Sequence, residues 1–196
     1  MTGATVWAGS KPRITTPAVQ LQFVGEFART LQTTIRDGLA SRTTGFEWVE
    51  EYDVGGTPVD VAGVTAERNG DSVAEDEAAN VLVAVELEVR RADPANNTVK
   101  LLRALENGAL DRFDRVVVCQ VFTAYYDLVN GGVSTKRENA TFVGRLAADA
   151  HEHVRYHAID LPVDPPKRGG DPPDGWEAGV AAAVRAVERV VDDGSD

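Results

Sequence analysis

The sequence predicts an α/β fold, a mixed sheet in which a β-hairpin joins a strand-helix-strand core, flanked by helices. Three observations carry this. Residues 81–91, VLVAVELEVRR, place Val81, Val83, Val85, Leu87 and Val89 on one side of a period-two pattern and Leu82, Ala84, Glu86 and Glu88 on the other, the alternation of a strand. Two shorter β-like runs, GFEWVEEYD at 45–53 and TPVDVAGV at 57–64, are separated by Gly55-Gly56 and read as a hairpin. After the long strand come a helical segment and then the apolar run 115–122. Strand, helix and strand in succession imply a right-handed parallel crossover.

Taken in order, residues 1–16 carry no periodic pattern and are expected to form an extended lead-in. From 17 to 39, Val24, Phe27, Ala28, Leu31, Ile35 and Leu39 recur at spacings of three and four, which predicts a long amphipathic helix. The hairpin follows. Residues 65–80 turn polar, with Asn69-Gly70 as a turn signal and Glu75-Asp76-Glu77 as a charge run, and predict a loop. Beyond the long strand, Asp93 is suited to cap a helix and Pro94 to its first position, with the helix running to Asn107 and closing at Gly108. The run 115–122 reads as a strand covered on both faces. A helix is expected over 137–152 with Phe142, Val143, Leu146 and Ala150 inward, then a strand over 154–161. Residues 162–175, rich in Pro, Asp and Gly, form a linker. Trp176 opens a last helix, to Val191, with Val180, Val184, Val187 and Val191 at helical spacing, packed on this domain or on a neighbour's. The domain proper is thus 17–161.

A chain of 196 residues suits one domain with an ample core. No apolar run approaches ~18 residues, so neither a membrane span nor a signal peptide is expected and a cytoplasmic location follows. Cys119 lies in the apolar run RVVVCQVF and reads as a small buried hydrophobe. Acids outnumber Lys plus Arg by 31 to 20, for a formal charge of −11, and only four of the twenty bases are Lys. This acid-rich, Lys-poor composition resembles that of proteins from salt-in halophilic archaea. In molar salt the Debye length falls to about 3 Å, so the net charge does not exclude nucleic acid, and local basic residues decide.

The carboxylates carry the chemistry. Same-face neighbours on a strand lie roughly 6.5–7 Å apart, so Glu86 and Glu88 can converge on one ion or water. If the hairpin arm pairs with this strand, Asp60, which alternates opposite to Val59 and Val61, joins them above one sheet. Crowding three acids is costly, because like charges and desolvation both disfavour ionisation. A hard cation offsets that cost, and oxygen-only ligands select Mg²⁺ or Mn²⁺. The alternative is a half-exposed strand whose acids are solvated. Glu26, in the first helix, is either solvated or a further ligand. His151, His153 and His157 could bind Zn²⁺ if brought together, but they straddle a helix-to-strand junction and no HExxH spacing accompanies them. No Gly-rich phosphate loop or GxSxG elbow is present.

An Asp in PVDVAG, an ExE in VELEVRR, then a helix carrying Asn97 and Lys100 and a further buried strand resemble the PD-(D/E)xK nuclease superfamily, the restriction endonuclease-like fold, over roughly residues 17–161. The resemblance implies that Asp60, Glu86 and the Leu87 backbone carbonyl hold Mg²⁺ or Mn²⁺. Glu88 stands where that family usually has Lys, so Lys100, one turn after Asn97, would supply the missing positive charge, with Glu88 completing a second metal position or accepting a proton. Arg90 and Arg91 would contact phosphate. DNA is the implied partner and phosphodiester hydrolysis the implied reaction. The Glu88 departure and the acidic surface favour, as the alternative, a catalytically silent member of the fold used for binding or assembly. The oligomeric state stays open, a homodimer included, since cutting two strands often needs two sites.

Overall fold

A computed structural model describes residues 22–65, 79–167 and 170–193. Its described residues form an α/β domain with a five-stranded mixed sheet and four flanking helices, in the order α1 (Gln22–Arg42), β1 (Phe46–Asp53), β2 (Pro58–Thr65), β3 (Val81–Glu88), α2 (Ala95–Glu106), β4 (Arg115–Thr123), α3 (Thr135–Ala150), β5 (Val154–Leu161) and α4 (Trp176–Asp193). The strands lie side by side in chain order. β1, β2 and β3 are antiparallel neighbours, whereas β3, β4 and β5 run parallel.

The hairpin turns at Val54–Thr57, whose backbones exchange hydrogen bonds in both directions. Gly55 and Gly56 sit at φ +59° and +83°, the pair of positive values a type I′ turn demands. β3 is buried along its whole length, because helices cover both faces of the sheet. On one face Phe27, Leu31, Ile35 and Leu39 of α1 and Val180, Val184, Val187 and Val191 of α4 pack against Val83, Val85 and Leu87. On the other, Leu101, Ala104 and Leu105 of α2 meet Leu82, Ala84, Val116 and Val118. The last helix therefore packs on its own domain: Phe27 meets Trp176 edge to face at 5.7 Å, and Arg42 pairs with Glu188 at 2.8 Å.

Several boundaries differ from expectation. β3 ends at Glu88 rather than continuing to Arg91, because Thr123 Oγ1 on β4 takes up the carbonyls of Glu88 and Val89 and the hydroxyl of Tyr126 engages both backbone polar groups of Arg91. α2 begins at Ala95 with Pro94 as the residue before it and no side-chain cap from Asp93. The larger correction concerns α3. Phe142 and Leu146, expected inward, are 68% and 51% exposed, and Ala150 is exposed too. Its buried face is instead Ala140, Gly144 and Ala147, because the Tyr156 ring on β5 lies so close that a Cβ at Gly144 would stand 2.1 Å from it. Shape overrides hydrophobicity here: the ring needs a shallow helix face, and only the small-residue stripe provides one. The lead-in, the first residues expected in the opening helix and the Glu75-Asp76-Glu77 run lie outside the described residues.

Candidate functional site

The site forms where β2 and β3 part. Their ladder runs from Val64↔Leu82 to Val61↔Val85. One step further, Asp60 Oδ2 accepts the Leu87 N–H at 2.7 Å, so a side chain replaces the next strand's carbonyl and the strand ends are free to separate. Asp60 is thereby brought close enough to Glu86 for its charge to raise the Glu86 carboxyl.

Glu88 is fully buried and Glu86 is 6% exposed. Asn97, buried on the first turn of α2, reaches across with Nδ2 to Glu86 Oε2 at 3.2 Å and Glu88 Oε1 at 3.1 Å. Gln120 on β4 donates its Nε2 to Glu88 Oε1 at 2.8 Å and to the Pro94 carbonyl at 3.0 Å. Its Oε1 accepts from Tyr156 at 2.7 Å and Thr98 at 3.2 Å. With both ends of the amide engaged, Gln120 has one orientation. Glu88 Oε1 is thus held by two donors while Oε2 is buried with no hydrogen-bond partner, a costly arrangement for an ionised oxygen.

The positive charge near these acids comes from Arg91. Its Nε lies 3.8 Å from Glu88 Oε2 and its Nη2 3.9 Å from Asp60 Oδ1, and Nη1 donates to Asn97 Oδ1 at 3.2 Å. One half-exposed guanidinium does not offset three acids. Burial raises Asp60, against the Leu87 amide and Arg91, which lower it. Burial, then the charges of Asp60 and Glu88, push Glu86 well above the usual carboxylate range. Burial pushes Glu88 up to about 7 even with Gln120, Arg91 and Asn97 opposing.

Of the residues expected here, Asp60, Glu86, Glu88, Asn97 and Arg91 come together. The Leu87 side chain is buried on the α1 and α4 side, and its amide serves Asp60. Arg90 turns away: its guanidinium stacks 4.8 Å from the centre of the Tyr125 ring and donates to the Pro165 carbonyl at 3.2 Å. Lys100 is half-buried one turn after Asn97 and has no ion pair with the acids among the described residues. Glu26 is exposed at the start of α1. His151 and His153 lie edge to face at 6.1 Å, with His151 beside Glu106 at 3.3 Å; His157, in register with Cys119, is lowered by burial and Arg155.

Sequence reasoning missed Gln120, Tyr156 and Thr98, and also Gln32, whose Nε2 donates to the Asp60 carbonyl at 2.6 Å and to Glu51 Oε1 at 2.9 Å. Glu51 itself sits at φ +53°, a conformation costly outside glycine. Gln120 did carry a signal, as the lone amide in an otherwise apolar strand buried on both faces, where an unpartnered polar group is not tolerated.

The donor set is of the kind a hard dication takes: oxygen donors only, three carboxyl groups crowded together, and one carboxylate oxygen without a hydrogen-bond partner. Among the described residues no group of three or more His, Cys, Asp or Glu side chains is already gathered closely enough to hold a metal ion. The positive charge present is that of Arg91, within 4 Å of both Asp60 and Glu88. No helix among the described residues is long and apolar enough to cross a membrane. Comparison with known protein families and with curated proteins gave no match.

Proposed function

We propose that this protein is a metal-dependent nuclease of the restriction endonuclease-like fold that hydrolyses DNA phosphodiester bonds. The observation that carries the reading is the gathering of half-buried Asp60 with buried Glu86 and Glu88 at the parting of β2 and β3, with Glu88 Oε2 lacking a hydrogen-bond partner. Crowding three carboxyl groups there is costly to folding beyond what the Leu87, Asn97 and Gln120 hydrogen bonds return, which is what a site kept ready for a cation looks like.

Asp60 and Glu86 would hold Mg²⁺ or Mn²⁺ once Arg91 moves aside. When bound, such an ion makes water acidic enough to attack near neutral pH and neutralises charge on the phosphoryl oxygens. Glu88, with its pKa at about 7, is suited to take the proton of the attacking water. Its fixed Oε1 leaves Oε2 as the oxygen that receives it. Arg91, released from Asp60 and Glu88, is long enough to pair with a DNA phosphate and offset charge that develops on it.

A second reading is favoured by Arg91 itself. A guanidinium seated between Asp60 and Glu88, with no lysine paired to the acids among the described residues, also suits a silent member of the fold that binds DNA or a partner without cutting. Two measurements decide. Calorimetry with Mn²⁺ in high salt should show binding that is abolished in Glu86→Ala; no binding to the wild type removes the metal. Plasmid nicking that requires Mg²⁺ or Mn²⁺ and vanishes in Glu86→Ala establishes the nuclease, while binding of DNA and metal without nicking establishes the silent module.

A further inference from the structure

A cavity of about 270 Å³, with Asp60 on its lining, opens between α1 and the end of β3. One wall is the α1 face bearing Gly25, Ala28 and Gln32, at spacings of three and four; the facing wall is Leu87 and Val89, and Arg91 stands at the rim it shares with the acid cluster. Ala28, Leu87 and Val89 give the cavity apolar surface, and Gln32, Asp60 and the two arginines give it polar groups. The space is below the ~300 Å³ at which pockets begin to take drug-sized ligands, and fits a single flat ring system.

We infer that this cavity receives one unpaired nucleobase next to the phosphate that is cut, so that the substrate is DNA with an unpaired nucleotide at the cleavage position. The inference rests on the nuclease reading above and names its substrate class. A base in a stack cannot enter a slot between a helix and a strand end; a base already unpaired, in a bulge, flap or single strand, enters at little cost. The walls supply the apolar faces that a ring needs. Gln32 supplies an acceptor: its Nε2 is committed to Glu51 and the Asp60 carbonyl, and its Oε1 has no hydrogen-bond partner among the described residues, leaving it for a base N–H. Charge complementarity points the same way, because Arg91 marks the rim. Arg90, also on the lining, is braced by Tyr125 and the Pro165 carbonyl, so a backbone that delivers a base here runs past two guanidinium groups.

Gly25 makes the test clean. A Cβ there meets nothing within 4 Å, and replacing glycine inside a helix favours the helix, so Gly25→Trp starts from open space on the cavity lining to block it and Gly25→Ala controls for the helix effect alone. Fluorescein-labelled duplexes, fully paired or carrying one unpaired 2-aminopurine, are titrated with full-length protein in Ca²⁺ and high salt. The expected result is that the bulged duplex binds about tenfold more tightly than the paired one, with a change in 2-aminopurine fluorescence. Gly25→Ala keeps this preference, and Gly25→Trp reduces it below about twofold with paired-duplex binding unchanged. Equal binding of the two duplexes, or a preference that survives Gly25→Trp, overturns the inference while metal-dependent nicking still upholds the nuclease. Absence of DNA binding in wild type, with no nicking, overturns both.

Discussion

Asp60 Oδ2 receives the Leu87 N–H at 2.7 Å just where the β2–β3 ladder gives out, so one carboxylate both ends a sheet and starts a site. The two duties separate by substitution. Asp60→Asn keeps an oxygen for Leu87 but loses the charge. Asp60→Ala strands a buried donor, at a cost of about 1–3 kcal/mol. Urea unfolding should therefore rank Asp60→Asn above Asp60→Ala, with Mn²⁺ binding lost in both. Equal stability of the two variants would show that the Leu87 bond contributes nothing.

The raised acids make stability fall with pH. For Glu88, with an ordinary value of 4.5 and about 7 in the fold, the folded state holds its proton more tightly than the unfolded chain. Its contribution is complete below about pH 4.5 and is lost as pH rises through 7. Glu88→Gln cannot ionise and escapes the loss. Relative to wild type without divalent ions, the variant should gain about 2–3 kcal/mol between pH 4.5 and pH 8. Chemical denaturation at the two pH values measures it, and a gain that does not depend on pH would refute the assignment.

Gln120 joins Glu88, Thr98 and Tyr156 through one amide. Gln120→Leu leaves two hydroxyls and a carboxylate oxygen short of partners and should cost at least about 2 kcal/mol. It also removes a bond that lowers Glu88, so a ¹³C-detected titration of that carboxyl should move further upward. Tyr156→Phe, which spares the Glu88 contact, should leave that titration nearly in place.

How much of this was legible in the sequence depended on which physical rule governed each segment. The hairpin at Gly55-Gly56, the strand-helix-strand core and the helices with Leu31, Ile35 and Leu39 or Val180, Val184 and Val187 follow local periodicity, and periodicity survives into the sheet and helices. The common side of Glu86 and Glu88 follows from the two-residue repeat of β3, whereas Val59 and Val61, expected together, fall in opposite cores, so the repeat breaks at Asp60. Partners set by tertiary approach were not legible: Gln120 reaching Glu88 across adjacent strands, Arg91 rather than Lys100 beside the acids, and the burial of Gly144 where Phe142 was expected. Gln120 and Gly144 depend on partners in other elements, and Arg91, three residues from Glu88, was expected to meet phosphate rather than the acids.

The reversal on α3 predicts an inverted sensitivity. Phe142→Ser and Leu146→Ser alter exposed positions and should change stability by no more than about 0.5 kcal/mol. Gly144→Ala adds a single methyl, but places it against the Tyr156 ring, and overpacking of that kind costs about 1–3 kcal/mol. Thermal melts of the three variants decide between the faces. A large loss in Phe142→Ser with a neutral Gly144→Ala would return the apolar stripe to the core.

Arg91 provides the sharpest separation between holding a metal and using it. Its guanidinium lies within 4 Å of Asp60 and Glu88, the space a dication would claim, so the two positive charges compete. Arg91→Ala removes the competitor and leaves the carboxylates intact, and Mn²⁺ affinity at about pH 8 should rise or hold. Phosphate pairing is lost at the same time, and the loss of a charge-assisted bond at the reacting group should slow nicking by at least about tenfold. Calorimetry and plasmid nicking on one preparation measure both. If Mn²⁺ affinity falls with Arg91, the guanidinium supports the acid cluster rather than standing in for the ion, and the route by which Glu88 Oε2 joins the site closes.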